Sequence, residues 1–316
     1  MTTYRLPSLN IVALGGGHGL SAALRALKQI TPSLTAIVGV SDNGGSSGRL
    51  REEFSVIPPG DLRMALTALC DEETEGRMWA EVLQHRFPGS GPLQGHALGN
   101  LLIAALWQKQ GDVVAGLDAM CRLLHAHGRV LPLSLQPLDV VADVEFIDGA
   151  VESVFGQVSV ARTQGKVIDV RLEPENALMC PETMAAIASA DVIVMGPGSW
   201  YTSVINHVVL PEMAAALRKS TARKLLIANL CAQTGETSGY SLAEHLESLA
   251  QHGRGLAFEA VFIEQALAEK DAETAAQRLG AKVVSAHIAD SSNPQVHDPS
   301  ALAQVLASYL EQEVSE

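Results

Sequence analysis

Residues 15–20 read Gly-Gly-Gly-His-Gly-Leu and follow an apolar run at 9–14. An amphipathic helical pattern begins near Ser21. Glycines between a buried strand and a helix suit a phosphate. Lacking Cβ atoms, Gly15, Gly16, Gly17 and Gly19 let ligand oxygens approach the backbone, while the helix aims unpaired N–H groups and its positive dipole end at them. His18 stands inside the same turn. The register Gly17-x-Gly19-x-x-Ala22 also satisfies a dinucleotide fingerprint, and Asp42, 23 residues past Gly19, stands where a ribose-binding acid is expected. NAD is therefore an alternative ligand, and a tight turn that binds nothing is the plainest alternative.

Further polar groups gather after later apolar runs. Residues 41–51, Ser-Asp-Asn-Gly-Gly-Ser-Ser-Gly-Arg-Leu-Arg, read as a loop that offers the amides and side chains of Asn43, Gly44, Gly45, Ser46 and Ser47. Arg49, Arg51 and Arg63 can meet phosphate oxygens bidentately, or serve as surface charges. Asp42 and Asp61 are candidates for a metal or for ribose hydroxyls, because a diphosphate in a chain of formal charge −13 needs compensation and Mg²⁺ enters through one or two carboxylates. Asp61 would be catalytic only in an enzyme; otherwise it caps the helix that runs to about Cys70. At 95–100, His96 and Asn100 stand at i and i+4 and suit recognition of a base, sugar or phosphate, or else a cap and a core histidine. Gly196 and Gly198, with the hydroxyls of Ser199, Thr202 and Ser203, read as a second phosphate or sugar site. A nucleophilic serine is disfavoured, since the segment lacks G-x-S-x-G and has no assignable histidine base. His125, His127, His245 and His252 lack metal spacing and read as solvated helix faces.

These loops need elements to hold them together. Buried strands are expected at 9–14, 34–40, 191–195, 224–229, 258–263 and 282–286, with helices between them. Strands at 140–146, 156–161 and 167–172, the last two joined through Gly165, form an antiparallel insertion at about 130–173. The result is an α/β fold: a Rossmann-like, doubly wound, mostly parallel sheet with an appended antiparallel β segment, continuous over 1–316. Most distinctive loops follow strands, which places them at the carboxyl edge of the sheet, with 41–51 facing 196–203 across one crevice.

Composition agrees. A hydrophobic fraction of 47% with 4% aromatic residues suits a Leu, Val, Ile and Ala core of helices on a buried sheet. The charge of −13 argues against general affinity for nucleic acid. No apolar run approaches a membrane span, and the N-terminal one, broken by glycines, does not read as a signal peptide. Cys70, Cys121, Cys180 and Cys231 are scattered without C-x-x-C spacing, as expected of reduced core thiols in the cytoplasm. Homo-oligomerisation stays open.

With the motifs at 15–20, 41–51, 58–63 (Pro-Pro-Gly-Asp-Leu-Arg), 95–100, 196–203 and 229–240 in order, the chain resembles the gluconeogenesis factor family, the YvcK-type proteins, which are distantly similar to CofD-type 2-phospho-lactate transferases. The resemblance implies a Rossmann-like fold, cytoplasmic location and a nucleotide-linked ligand. For the YvcK-type branch it implies UDP-sugar binding and a role in cell shape, envelope synthesis and gluconeogenic growth. For the transferase branch it implies transfer of a phospholactyl group from a guanosine diphosphate carrier, with magnesium. The segments at 46–51 and 235–240 resemble the first branch more closely. Many relatives carry two acids where this chain has Asp42-Asn43, and Thr where it has His18. A sensor of a nucleotide sugar is thus the leading expectation, because amides, hydroxyls and arginines are abundant and an obvious acid/base pair is not.

Overall fold

A computed structural model describes residues 5–71 and 73–312. Among the described residues ten strands form two sheets: β1 (Ile11–Gly15), β2 (Leu34–Val38), β3 (Arg129–Pro132), β4 (Asp139–Glu145), β5 (Val151–Phe155), β6 (Lys166–Glu173), β7 (Val192–Met195), β8 (Arg223–Ile227), β9 (Ala260–Glu264) and β10 (Lys282–Ala286). Seven of them make a parallel sheet in the order β10-β9-β8-β7-β1-β2-β3. Helices cover both faces, so β1 and β7 are buried at every position and read as unbroken apolar runs rather than as alternation. The chain leaves β1 toward β2 and β3, then returns to β7 on the other side. The sheet therefore has its switch point between β1 and β7, where ligands of doubly wound folds enter.

The helix Gly17–Leu27 buries Leu20, Ala23, Leu24 and Leu27, an i, i+3, i+4, i+7 stripe against the sheet. It begins four residues before the expected Ser21, so Gly17, His18 and Gly19 are its first turn. Residues 41–51 likewise differ from the expected loop: Gly45–Phe54 is helical, with Ser46, Ser47, Gly48 and Leu50 buried. Deeper in the chain, Ser241 and Glu244 close a capping box that starts the helix Leu242–Gly253.

The antiparallel insertion is a three-stranded sheet, β5-β4-β6, with β4 in the centre. Its core residues Val140, Ala142, Val144, Val167, Val170 and Leu172 join the same apolar cluster as the large sheet. Three expectations are corrected here. β3 pairs with β2 in the large sheet, so the insertion begins at β4. The hairpin joins β4 to β5, and β6 pairs with β4, so nothing is joined through Gly165. Residues 157–161 form a short helix, not a strand. Gly156, at φ 86, turns the chain out of β5, and the Val158 amide donates to Asn43 Oδ1 at 3.1 Å. Local bonds of the Ser159 and Val160 amides to the Gly156 carbonyl and this contact from 115 residues away hold as a helix a segment whose local alternation favours a strand.

Two side-chain expectations also change. Cys70 and Cys180 are buried and Cys121 half-buried, but Cys231 is exposed. His245 and His252 are buried on the inner face of their helix, where edge-on contacts with Trp200, Tyr201 and Tyr240 hold them. Among the described residues no helix is long and apolar enough to cross a membrane.

Candidate functional site

The carboxyl ends of β1, β2 and β7 deliver the polar loops to one crevice. Gly16 precedes the helix Gly17–Leu27 in extended conformation, and neither that helix nor Gly45–Phe54 has a side-chain cap or an acid in its first turn. Apart from the Gly17 amide, which faces Asp61, both N-termini thus keep backbone donors and a positive dipole end available to an anion, each worth about 0.3–1 kcal/mol at an exposed site. Gly17 (φ 59) and Gly45 (φ 49) open the two helices in the left-handed region that favours glycine.

Close packing fixes this loop cluster. A Cβ on Gly16 would lie 2.6 Å from Asp61 Oδ2 and 3.1 Å from Ser203 Oγ, so only glycine lets the carboxylate and hydroxyl come this near. A Cβ on Gly19 would meet the Pro197 carbonyl and lie 2.5 Å from Gly198 Cα, all backbone atoms. Gly19→Ala is therefore expected to lower stability by about 1–3 kcal/mol, the usual cost of overpacking, as measured by urea unfolding. Asn229 clamps Gly198 from the β8 side, accepting its N–H at 2.9 Å and donating to its carbonyl at 2.8 Å. Asn206 donates to Ser41 Oγ at 3.0 Å and to the Thr202 carbonyl at 2.6 Å, joining the chain after β2 to the turn after β7. The loops at 41–51 and 196–203 thus lie on the same side of the sheet.

Asp42 and Asp61 stand together. Asp42 Oδ1 accepts the Gly44 N–H at 2.9 Å, and Asp61 faces the Gly17 amide from the first turn of the helix Gly60–Leu69. The Asp61 carboxyl is enclosed although the residue keeps some surface. That enclosure, and then the charge of Asp42, push its pKa up to about 7, against the opposing pull of Gly17 and Arg63. Asn43 turns away toward Val158, so the second carboxylate beside Asp42 comes from Asp61. Asp42 and Asp61 are the two carboxylates that would hold a divalent cation such as magnesium, which would supply positive charge to a diphosphate. Among the described residues no group of three or more His, Cys, Asp or Glu is placed to hold a metal by itself.

Arg63 is 3% exposed. Its Nε donates to Asn100 Oδ1 at 2.8 Å, Asn100 Nδ2 donates to Ser46 Oγ at 3.0 Å, and Ser46 Oγ meets His96 Nδ1 at 3.0 Å. His96 and Asn100 therefore converge as the sequence suggests, but on Ser46 and Arg63, making a buried brace for the guanidinium. Burial lowers the His96 pKa, and the charge of Arg49 lowers it further, which keeps the ring neutral. Arg63 Nη1 is buried without a hydrogen-bond partner. Burial pulls the Arg63 pKa down to about 10, so it remains a cation at neutral pH. The other arginines are engaged: Arg49 donates to the carbonyls of Pro92 and Gln94, and Arg51 to the Leu138 carbonyl and, at 2.6 Å, to Asp139.

On the β7 side, Ser199 Oγ accepts from Gln233, Thr202 Oγ1 is buried without a partner, and Ser203 reaches Gly16. Gly196 (φ 72) and Gly198 (φ 149) shape the turn. A smaller cleft of about 190 Å³ continues from here, bounded by His18, Gly19, Gly198, Asn229, Gln233 and His297. Sequence reasoning missed Asn206, Asn229, Gln233 and Glu236. For Asn229, Gln233 and Glu236 the motif at 229–240 was the available signal, without roles for its side chains. Glu236 is 2% exposed; its carboxyl faces the amides of Trp200, Tyr201 and Thr202 without closing a hydrogen bond, and burial pushes its pKa up to about 7.

Fold and crevice define a Rossmann-like, doubly wound α/β protein whose polar loops meet at the switch point. The model of the 2-phospho-L-lactate transferase CofD family matches residues 11–313. A Mycobacterium tuberculosis protein named "Putative gluconeogenesis factor" is 48% identical over 303 residues, covering 94% of this chain and 89% of that protein. The gluconeogenesis factor of Bacillus subtilis is 41% identical over 242 residues, covering 77% and 73%. A crystal structure of a UPF0052 family protein from Bacillus halodurans superposes with a TM-score of 0.84 at 35% identity, covering 95% of this chain and 99% of that one. The chain belongs to the CofD family and, within it, to the gluconeogenesis factors.

Proposed function

We propose that the crevice binds a nucleotide-diphosphate-linked ligand, in the first place a UDP-sugar, and that the chain acts as a cytoplasmic sensor serving envelope synthesis and cell shape during gluconeogenic growth. The observation that carries this reading is the Arg63 guanidinium, buried and cationic with Nη1 unpaired, close enough to Asp61 and Asp42 at the glycine turn to act on their charge. A buried donor without an acceptor costs free energy that a phosphate oxygen would recover. In this reading the diphosphate lies near Gly15 to Gly19 and the sugar near Ser199, Thr202 and Ser203.

The Asp42–Asp61 pair favours a second reading, a CofD-like transferase. Magnesium held by these carboxylates would neutralise charge on diphosphate oxygens during departure of the nucleotide. Incubating the wild type and Asp61→Asn with UDP-sugars and guanosine-linked donors, with and without Mg²⁺, separates the two readings by mass spectrometry. The sensor reading expects no product from either protein, with Asp61→Asn altering affinity or stability alone. Metal-dependent donor consumption by the wild type, lost in Asp61→Asn, would establish the transferase instead.

A further inference from the structure

A cavity of about 300 Å³ lies between β6, residues 208–218 and the end of the helix Leu242–Gly253, and shares no lining residue with the crevice. Its wall is mixed: Val170, Leu172, Val208, Leu210 and Ala214 form an apolar side, and Asp169, Arg171, Glu175, Arg218, His252 and Arg254 supply charged and polar groups. Arg218 and Arg254 also line it, and among the described residues neither has a hydrogen-bond or ion-pair partner. Arg171 lines it too, but is paired with Asp143 at 3.2 Å and Glu173 at 3.4 Å.

His252 supplies an independent sign. It is 6% exposed, its Nδ1 meets the Ser248 carbonyl at 2.8 Å, and its Nε2 is buried with no hydrogen bond, the Asp169 carboxylate standing 3.5 Å away. Arg254 ends the helix in the left-handed conformation common at helix C-termini (φ 45, ψ 56), which turns the chain at the cavity's edge. Glu175 is the remaining acid on the lining.

We propose that this cavity binds a small organic anion with an apolar body, its carboxylate or phosphate head between Arg218 and Arg254 and its body against Val170, Leu172 and Val208. His252 Nε2 is the polar group that meets it inside. The volume stands at the small end of ligand pockets and is too small for a nucleotide sugar. An occupant would also touch the structure that supports the crevice: the Tyr201 hydroxyl accepts from Ser248 at 3.0 Å, and its ring meets His252 edge-on at 5.9 Å.

The test is calorimetric titration of the full chain with hexanoate, butyl phosphate and inorganic phosphate. Hexanoate or butyl phosphate is expected to bind saturably at one site, and the better of the two assigns the head group. Inorganic phosphate, lacking an apolar body, is expected to bind roughly tenfold more weakly or worse. The Arg218→Ala/Arg254→Ala double variant should lose the organic anion by roughly tenfold or more at an unchanged melting temperature, while Arg63→Met binds it as the wild type does. Absence of saturable binding, equal binding of inorganic phosphate, or loss in Arg63→Met but not in the double variant would overturn the proposal.

Discussion

Replacing Arg63 by Met is expected to weaken nucleotide-diphosphate binding about a hundredfold. Met preserves most of the apolar stem that packs against Gly99, but removes the buried cation and its unpaired Nη1 donor. Truncating one partner of a buried, hydrogen-bonded charge pair costs about 2–5 kcal/mol, and about 2.8 kcal/mol corresponds to two decades of affinity. Arg63→Lys keeps the charge without the guanidinium fork and should fall between the two. Asn100 loses a hydrogen bond in Arg63→Met, so some stability is lost as well, about 1 kcal/mol. Affinity unchanged in a folded Arg63→Met would remove this side chain from the site.

Glu236→Gln is expected to gain stability relative to the wild type as pH rises. The folded-state pKa of Glu236 is about 7 against an ordinary 4.5, because burial disfavours the charged form. Between these values the folded protein keeps a proton that the unfolded chain has released. The wild type therefore loses this contribution as pH climbs from about 4.5 through 7, and loses no more above that. Gln does not titrate, so the stability difference between variant and wild type should grow by about 3 kcal/mol from pH 4.5 to pH 8. His207 and His297, whose pKa values burial lowers to about 4, act in the opposite direction below pH 6.5. Asp61 acts in the same direction as Glu236. All three are common to both proteins and cancel in the difference. Urea unfolding across this range measures it, and a difference independent of pH would mean that Glu236 is not desolvated in the folded chain.

The parallel sheet was legible because strands covered on both faces are unbroken apolar runs, as Ile11–Gly15 and Val192–Met195 are, and glycine clusters mark their ends. The loops Gly15–Gly19 and Gly196–Ser203 were legible for the same reason. Tertiary hydrogen bonds hid the rest. Asn43 bonds the Val158 amide in a helix 115 residues away, and Asp61 becomes a partner of Asp42 only through tertiary packing. His245 and His252 read as solvated because a histidine at helical spacing carries no mark of the aromatic rings that cover it. Glu236 is the extreme case, a carboxylate in a Gly-Glu-Thr-Ser-Gly segment that reads as exposed loop and lies buried beneath the turn after β7. The i, i+4 spacing brings His96 and Asn100 together, but it does not reveal that they meet Ser46 and that Asn100 accepts from Arg63.

The most direct measurement is a calorimetric titration of the full chain with a panel of UDP-sugars, UDP, guanosine diphosphate and NAD, with and without Mg²⁺. The expected result is one UDP-sugar bound per chain, more tightly with Mg²⁺ than without, and about a hundredfold more weakly in Arg63→Met. Binding of NAD alone, or no binding of any nucleotide diphosphate by the folded protein, would contradict the assignment of the β1–β7 crevice.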